Sequence, residues 1–313
     1  MKIQYRAYSP KKPKKFRPFF KYFILLLLLT TIFVTLVSAY AAWRLINFDH
    51  PAIPSFSSNI VPDFKEVTFK DINNNTTLNG WYFQSDQSIK TVILAHDYKS
   101  NRLQFGEYTM DIIKRLIFEG YNVFAFDFQD SRLSEKKILG TNYYKKDDLL
   151  GAIRYIKSQK TSKIALMGFS TGASTAIIAA SEIDDVDVVI ADSAFSDLLE
   201  NLSAFVPSGL RSFPFDITIP VAFELLAGVK VDKISPKNIV TSISPAALFL
   251  IHGKLDDIIP IENSRELYNI YSINKDNVIS MWEVENAGHL ESFTKEPQMY
   301  INKVIEFLNE NMK

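Results

Sequence analysis

Apolar and polar positions follow two different patterns along the chain. A single uncharged stretch runs from Tyr22 to Trp43, a length of 22 residues. Because an α-helix rises about 1.5 Å per residue, roughly 20 such residues cross the hydrocarbon core of a bilayer. The pattern predicts a transmembrane helix over 22–43 and a polar, proline-containing tether over 44–62. A signal peptide cleaved at Ala39-Tyr40-Ala41 is the alternative interpretation of this stretch.

From about residue 63 onward, short apolar runs alternate with segments whose apolar residues recur at helical spacing. Two runs that flank Asn73-Asn74-Asn75 predict an antiparallel strand pair. The later predicted strands are 91–95, 122–126, 164–167, 186–191, 247–251 and 278–284. The predicted helices are 103–119, 147–159, 171–181, 261–271 and 297–310. This alternation predicts an α/β domain over 63–313 with a mostly parallel, doubly wound sheet. The interval 196–245 is too long for an ordinary connection and predicts a helical cap insertion.

Charge is distributed unevenly between the N-terminal arm and the rest of the chain. Residues 1–21 contain eight Lys and Arg and no acidic residue, whereas the remainder has 27 basic and 35 acidic residues, a net charge of −8. Positive charge before a first membrane helix keeps that arm in the cytoplasm, so the sequence predicts a single-pass protein of the cell membrane whose folded domain is extracytoplasmic. An acidic folded domain argues against nucleic-acid binding.

A predicted strand and a predicted helix are joined by Gly168-Phe169-Ser170-Thr171-Gly172. A G-x-S-x-G turn in this setting is typical of a nucleophile elbow, which exposes a serine hydroxyl at the carboxyl edge of the sheet. Ser170 is therefore the predicted nucleophile. The chain has no cysteine, its histidines are dispersed and no phosphate-binding loop is present, so no cofactor and no metal are predicted.

A serine hydroxyl needs a general base, and the base needs an orienting carboxylate. In folds that carry this elbow, the chain order is serine, acid, histidine. Only His252 and His289 follow Ser170. Because His252 precedes the favoured acid, Asp256, we predict His289 as the base and a structural role for His252. The alternatives to Asp256 are Asp257 and Asp192.

Acyl transfer also requires hydrogen-bond donors for the oxyanion. They are commonly the backbone N–H of the residue after the nucleophile and one from the loop after the third strand, here Thr171 and Tyr98. Asp97 is adjacent, and a carboxylate facing this site would oppose the developing negative charge. Two arrangements stay open: Asp97 turned toward the solvent or paired with Lys99 or Arg102, or Asp97 facing the oxyanion.

The chain resembles the α/β-hydrolase superfamily, in particular the membrane-anchored serine hydrolases of Gram-positive bacteria related to prolyl-oligopeptidase-like and Bem46-like hydrolases. The resemblance covers roughly residues 64–309. The segments that carry it are 93–96, 126–128, 147–153, 168–172, 191–197, 251–260 and 287–289. It implies the α/β-hydrolase fold and a triad of Ser170, Asp256 and His289. Two segments depart from the family pattern, with His96-Asp97 in place of its His-Gly and Gln129–Ser134 in place of its Arg-x-x-Gly-x-Ser.

These observations predict a membrane-anchored serine hydrolase that cleaves carboxylic ester or thioester substrates through an acyl-enzyme intermediate. The sequence shows no added domain and no pair of acids to hold a peptide's amino terminus, which argues against peptide cleavage. The apolar residues of 196–245 favour a small-molecule or lipid-like acyl substrate. Two alternatives stay open, a serine exopeptidase and a catalytically silent binding protein that lost oxyanion stabilisation through Asp97.

Overall fold

The structure of the 313-residue chain is a computed structural model. It describes residues 17–47, 51–53, 61–129, 145–228 and 235–313. Most of the predicted basic arm (1–16), the parts 48–50 and 54–60 of the predicted tether, and the family departure at 130–134 lie outside the described residues.

The first described element is the helix α1, Arg17–Ile46, which has 30 residues. It extends beyond the predicted span 22–43 at both ends and includes the first residues assigned to the tether. Residues Pro18–Ile46 are long and apolar enough to cross a membrane, with a mean hydropathy of 2.4 in the most apolar window. Only the last turns of α1 are buried against the rest of the protein. α1 is therefore a candidate membrane span, and a signal sequence would have the same features.

Eight strands form one sheet in the described part of the chain. They are β1 (Phe64–Lys70), β2 (Thr77–Phe83), β3 (Lys90–Ala95), β4 (Asn122–Asp127), β5 (Lys163–Phe169), β6 (Val188–Asp192), β7 (Ala247–Gly253) and β8 (Ile279–Val284). The order across the sheet is β1-β2-β4-β3-β5-β6-β7-β8. The pairs β1–β2 and β2–β4 are antiparallel, and all other neighbouring pairs are parallel. The predicted antiparallel pair and the mostly parallel sheet are confirmed.

Helices cover both faces of this sheet. They are α2 (Thr109–Phe118), α3 (Lys145–Ser158), α4 (Thr171–Ala180), α5 (Leu198–Asn201), α6 (Phe215–Ala227), α7 (Pro236–Ile239), α8 (Glu262–Tyr271), α9 (Ser292–Lys295) and α10 (Pro297–Asn311). α2 and α10 pack on one face, and α3, α4 and α8 pack on the other. The predicted helix 103–119 is shorter in the structure: Gly106, with a φ of +58°, begins a 3-10 helix at Gly106–Tyr108, and the α-helix follows from Thr109.

The central strands of the sheet, which position the site, are buried on both faces. In β5, Ala165 and Met167 face α2 and α10, whereas Leu166 faces α3 and α4. Strands buried in this way are nearly continuous apolar runs, which is why their positions can be predicted from the sequence. The carboxyl ends of the parallel strands lie at one edge, and the loops that follow β3, β5, β7 and β8 meet there.

The interval 196–245, predicted as a helical cap, contains α5, α6 and α7 in its described parts. α6 packs against the last turns of α1, where the hydroxyls of Ser38 and Thr218 are 2.7 Å apart. Leu45 of α1 and Phe223 of α6 are buried in the cluster that joins the two elements. The end of the candidate membrane span is therefore packed into the tertiary structure and is not only a tether.

Candidate active site

Ser170 lies at the sharp turn between β5 and α4. Its backbone has φ 51° and ψ −113°, a combination that costs a non-glycine residue roughly 1–3 kcal/mol and is typical of functional sites. The Ser170 N–H donates to the Asp192 carbonyl at 2.8 Å. A Cβ at Gly168 would lie 2.4 Å from the Gly172 carbonyl oxygen, and one at Gly172 would lie 2.1 Å from that of Ala95. The two glycines are therefore required by close backbone contacts.

The three side chains predicted as a triad meet at this turn. Nε2 of His289 is 3.0 Å from the Ser170 hydroxyl oxygen, and Nδ1 of His289 is 2.7 Å from Oδ2 of Asp256. With the Nδ1 proton donated to the carboxylate, Nε2 is left to accept the serine proton. Ser170 is fully buried, and the His289 side chain is 11% exposed. The arrangement is that of an activated serine.

The acid loop after β7 holds both oxygens of Asp256. Oδ1 accepts the backbone N–H groups of Ile258 at 3.0 Å and Ile259 at 2.8 Å. Beneath this loop, Nδ1 of His252 is 2.7 Å from the hydroxyl oxygen of Ser264. Its Nε2 donates to the Ile259 carbonyl at 2.8 Å and is 3.3 Å from Oδ2 of Asp256. His252 therefore supports the acid loop, whereas His289 contacts the serine.

These contacts determine the charge states of the acid and the base. Burial alone would raise the pKa of Asp256, but hydrogen bonds from His252 and His289 lower it to about 2. Burial alone would lower the pKa of His289, but its hydrogen bond to Asp256 and the charges of Asp256, Asp97 and Asp192 raise it above 6.5. Asp256 therefore stays ionised near neutral pH and strengthens the imidazole as a base.

The two alternative acids lie elsewhere. Asp192 is fully buried and accepts hydrogen bonds from the Tyr300 hydroxyl at 2.9 Å and the Ser193 hydroxyl at 3.1 Å. Burial raises its pKa to about 6, although both hydrogen bonds oppose this shift. Asp257 is exposed. Among the three candidates, Asp256 is the one within hydrogen-bond distance of His289.

Asp97 faces the predicted oxyanion site. Its Oδ1 accepts the Thr171 N–H at 3.1 Å and the Thr171 hydroxyl at 3.1 Å. Of the two arrangements left open by the sequence, the structure therefore has the one in which Asp97 faces the oxyanion site. Arg102, suggested as its partner, instead binds Asp127 at 2.6 Å, and the Lys99 ammonium lies 4.9 Å from the centre of the Tyr98 ring.

The backbone around Asp97 explains this orientation. Its carbonyl accepts a hydrogen bond from Nδ1 of His96 at 2.8 Å, and its N–H donates to the Gln104 side chain at 2.7 Å. With the main chain held on both sides, the side chain is directed at the first turn of α4. Of the two predicted oxyanion donors, Thr171 has its N–H bonded to a carboxylate here, and Tyr98 directs its hydroxyl to the Leu45 carbonyl at 2.9 Å.

A small apolar pocket opens beside Thr171, with a volume of about 50 Å³. We call it the Leu45 pocket, and its lining residues are Leu45, Tyr98, Thr171, Leu198, Leu202, Phe205 and Phe223. Sequence reasoning placed apolar residues in the cap but did not predict a contribution from α1. No cluster of three or more His, Asp or Glu side chains arranged to hold a metal ion occurs among the described residues.

Sequence reasoning also missed the support behind the His289 loop. The Ser193 hydroxyl donates to Asp192 and accepts the N–H of Leu290, which follows the predicted base, at 3.3 Å. The Tyr300 hydroxyl reaches the same carboxylate from α10. The segment 191–197 is among those that resemble the family, and the acidic residue that ends the predicted strand 186–191 is the signal in the sequence that points to this network.

The fold and the serine elbow define an α/β hydrolase of the prolyl-oligopeptidase-like type. Residues 135–313 match the Prolyl oligopeptidase family. Because this match covers more than half of the chain, the protein belongs to that family.

Similar proteins support this assignment. The uncharacterized Bacillus subtilis protein YqkD is 29% identical over 74% of this chain and 75% of its own length, and Escherichia coli K12 YfhR is 24% identical over 78% and 79%. The Pyrococcus furiosus esterase Pf2001 superposes with a TM-score of 0.67 at 27% identity, covering 85% of this chain and all of that one. The Pyrococcus horikoshii acylaminoacyl peptidase, at 18% identity, has a TM-score of 0.59 over 80% of this chain and 42% of its own and shares the fold.

Proposed function

We propose that this protein is a serine hydrolase held in the cell membrane by α1, and that it cleaves carboxylic ester or thioester bonds of acyl substrates. The observation that carries the proposal is the continuous path from Ser170 through His289 to Asp256, with distances of 3.0 and 2.7 Å. The similarity to the esterase Pf2001 supports hydrolysis, and the apolar Leu45 pocket, which is lined by the residue after the serine, supports an acyl substrate.

In the proposed mechanism, Oγ of Ser170 attacks the substrate carbonyl carbon while Nε2 of His289 takes the hydroxyl proton. The resulting imidazolium is stabilised by ionised Asp256. His289 then returns the proton to the leaving alcohol or thiol as its bond to the carbonyl carbon breaks, which leaves an ester on Ser170. A water molecule, deprotonated by His289, attacks this ester, and the released Ser170 oxygen recovers the proton.

The oxyanion would be bound by the backbone N–H groups of Thr171 and Tyr98. For Thr171 this requires the Asp97 carboxylate to leave, because that N–H donates to Asp97 in the structure. This contact is the observation that favours the second hypothesis, a binding protein in which Ser170 does not react with substrates. The exopeptidase hypothesis is favoured by the name of the matching family, whereas the sequence shows no obvious pair of acids to bind a peptide amino terminus.

A fluorophosphonate probe, which reacts with activated serines, tests the proposal on the full-length protein in detergent. We expect labelling of the wild type, loss of labelling in Ser170→Ala, and unchanged labelling in Ser181→Ala, a serine at the far end of α4. An unlabelled but folded wild type would favour the binding protein. Turnover of aminoacyl amides at rates that match short-chain esters would favour the exopeptidase, whereas turnover of esters alone would contradict it.

α1 is proposed as a retained anchor with the basic arm in the cytoplasm and the hydrolase domain outside. Its support is the uncharged length of the helix, the eight basic residues of 1–21, and the contact of the Ser38 hydroxyl with Thr218 of α6. A signal peptidase cut at 39–41 would remove residues 1–38 and with them this contact, but would leave Leu45 and Ile46 in place. Mass spectrometry of the protein from membranes should therefore detect peptides from residues 1–38.

A further inference from the structure

The Leu45 pocket is suited to hydrocarbon. Five of its seven lining side chains are aliphatic or aromatic without a polar atom. The remaining two are Thr171 and Tyr98, and the Tyr98 hydroxyl is already bonded to the Leu45 carbonyl. A polar ligand would find few partners in this pocket, whereas an alkyl chain would lose no hydrogen bonds on entering it.

The position of the pocket relates it to the reacting bond. Thr171 and Tyr98, which line it, are the residues proposed to bind the oxyanion. A substrate whose carbonyl carbon lies at the Ser170 oxygen and whose oxygen lies at Thr171 has its acyl group or its leaving group directed into the neighbouring space. The pocket is the apolar space there, so it is placed to receive an acyl chain.

One wall of the pocket belongs to α1. Leu45 is buried, as are Ala41, Ala42 and Ile46, and they form one cluster with the cap residues Ile219 and Phe223. Two hydrogen bonds fix the helix end, one from Tyr98 to the Leu45 carbonyl and one between Ser38 and Thr218. The wall is therefore as well packed as the rest of the cap.

We propose that the last turn of the membrane helix α1 forms part of the acyl-chain subsite and that Leu45 determines which acyl chain lengths are accepted. The inference rests on the proposed esterase function and adds its substrate class, apolar acyl esters of lipid type. It also gives α1 a second role besides anchoring, because the helix that enters the bilayer then lines the site that receives the acyl chain.

The test is the acyl-chain profile of the full-length protein in detergent, measured as kcat/KM for p-nitrophenyl esters from acetate to dodecanoate. Leu45→Trp would fill the pocket, so we expect at least a tenfold loss for octanoate and longer chains and less than a threefold change for acetate. Leu202→Trp, at a lining residue from the cap, should shift the profile in the same direction. Leu26→Trp, on the exposed face of α1, should leave it unchanged.

The outcomes separate the two proposals. If the wild type cleaves esters but Leu45→Trp and Leu202→Trp keep its chain-length profile, or lose activity equally for all esters, the subsite is refuted and the hydrolase proposal stands. If the wild type cleaves no ester and is not labelled by fluorophosphonate, the proposed function fails and this inference fails with it. Leu45→Ala is a further variant, because alanine is compatible with the helix and enlarges the pocket. It should raise kcat/KM for longer acyl chains relative to shorter ones.

Discussion

The carboxylate of Asp97 is predicted to restrain the activity of this site. It accepts both the N–H and the hydroxyl of Thr171, and the N–H is a proposed oxyanion donor. Replacing Asp97 with Ala removes this competitor. Asp97→Asn removes the charge but keeps an oxygen that can accept the Thr171 N–H, so its effect should be smaller.

The magnitude follows from the contact that must be broken. A hydrogen bond to a charged group contributes roughly 1.5–3 kcal/mol, and each 1.36 kcal/mol corresponds to about a tenfold change in rate. Asp97 is half-buried, so the lower part of this range applies. We expect Asp97→Ala to raise kcat/KM for a short-chain ester by about 10- to 50-fold, with Asp97→Asn between it and the wild type.

The pH profile gives an independent signature. The charge of Asp97 contributes to the raised pKa of His289, because it stabilises the imidazolium. Removing that charge should lower the pKa of His289, so the acidic limb of the kcat/KM profile should move to lower pH. Glu107→Gln, which removes an exposed carboxylate from the same loop, is the matched control and should change neither the rate nor the limb.

The assay is ester hydrolysis from pH 5 to 9 together with fluorophosphonate labelling. An Asp97→Ala variant that is folded but no faster than the wild type, with an unmoved acidic limb, would refute the restraint. A wild type that is unlabelled beside a labelled Asp97→Ala would show that this single carboxylate makes the protein silent. In either case Ser170→Ala should abolish the measured activity.

Three further predictions follow from the site and its support. Asp256→Asn should lower kcat by roughly 10³–10⁴-fold, because the imidazole loses its orienting carboxylate, and Asp192→Asn should lower it far less; the reverse order in steady-state assays would contradict the assignment of the acid. Because burial raises the pKa of Asp192 from 3.8 to about 6 in the folded protein, the wild type loses stability as the pH rises from about 4 through 6, and Asp192→Asn should gain about 2 kcal/mol relative to the wild type between pH 4 and pH 7 in denaturant titrations. Gly172→Ala should lower the melting temperature strongly, since a Cβ there would lie 2.1 Å from a carbonyl oxygen, whereas Gly209→Ala, with no atom within 4 Å, should not; equal melting temperatures would show that the elbow can adjust.

Much of the fold was predictable because the pattern of apolar residues within each short segment indicates the strand or helix that it forms. Strands buried on both faces must be apolar throughout, so the five central strands β3 to β7 could be located within a few residues. The helix before β4 was predicted too long, because apolar residues continue on both sides of Gly106, where the backbone is left-handed and a 3-10 helix begins. The long interval before β7 indicated a cap, but its packing partner could not be deduced from length alone.

The sequence by itself determined the serine elbow, the order of serine, acid and histidine, and the long uncharged helix, since each depends on spacing or composition within a short segment. Only the tertiary structure decided which way Asp97 points, that His252 lies beneath the acid loop, and that Leu45 lines the pocket beside Thr171. The contacts of Asp97 and Leu45 join residues that are far apart in the chain, and His252 reaches Ile259 and Ser264 only through the fold of the loop between them. In each case the direction of the side chain is determined by the packing around it, which the adjacent sequence does not indicate.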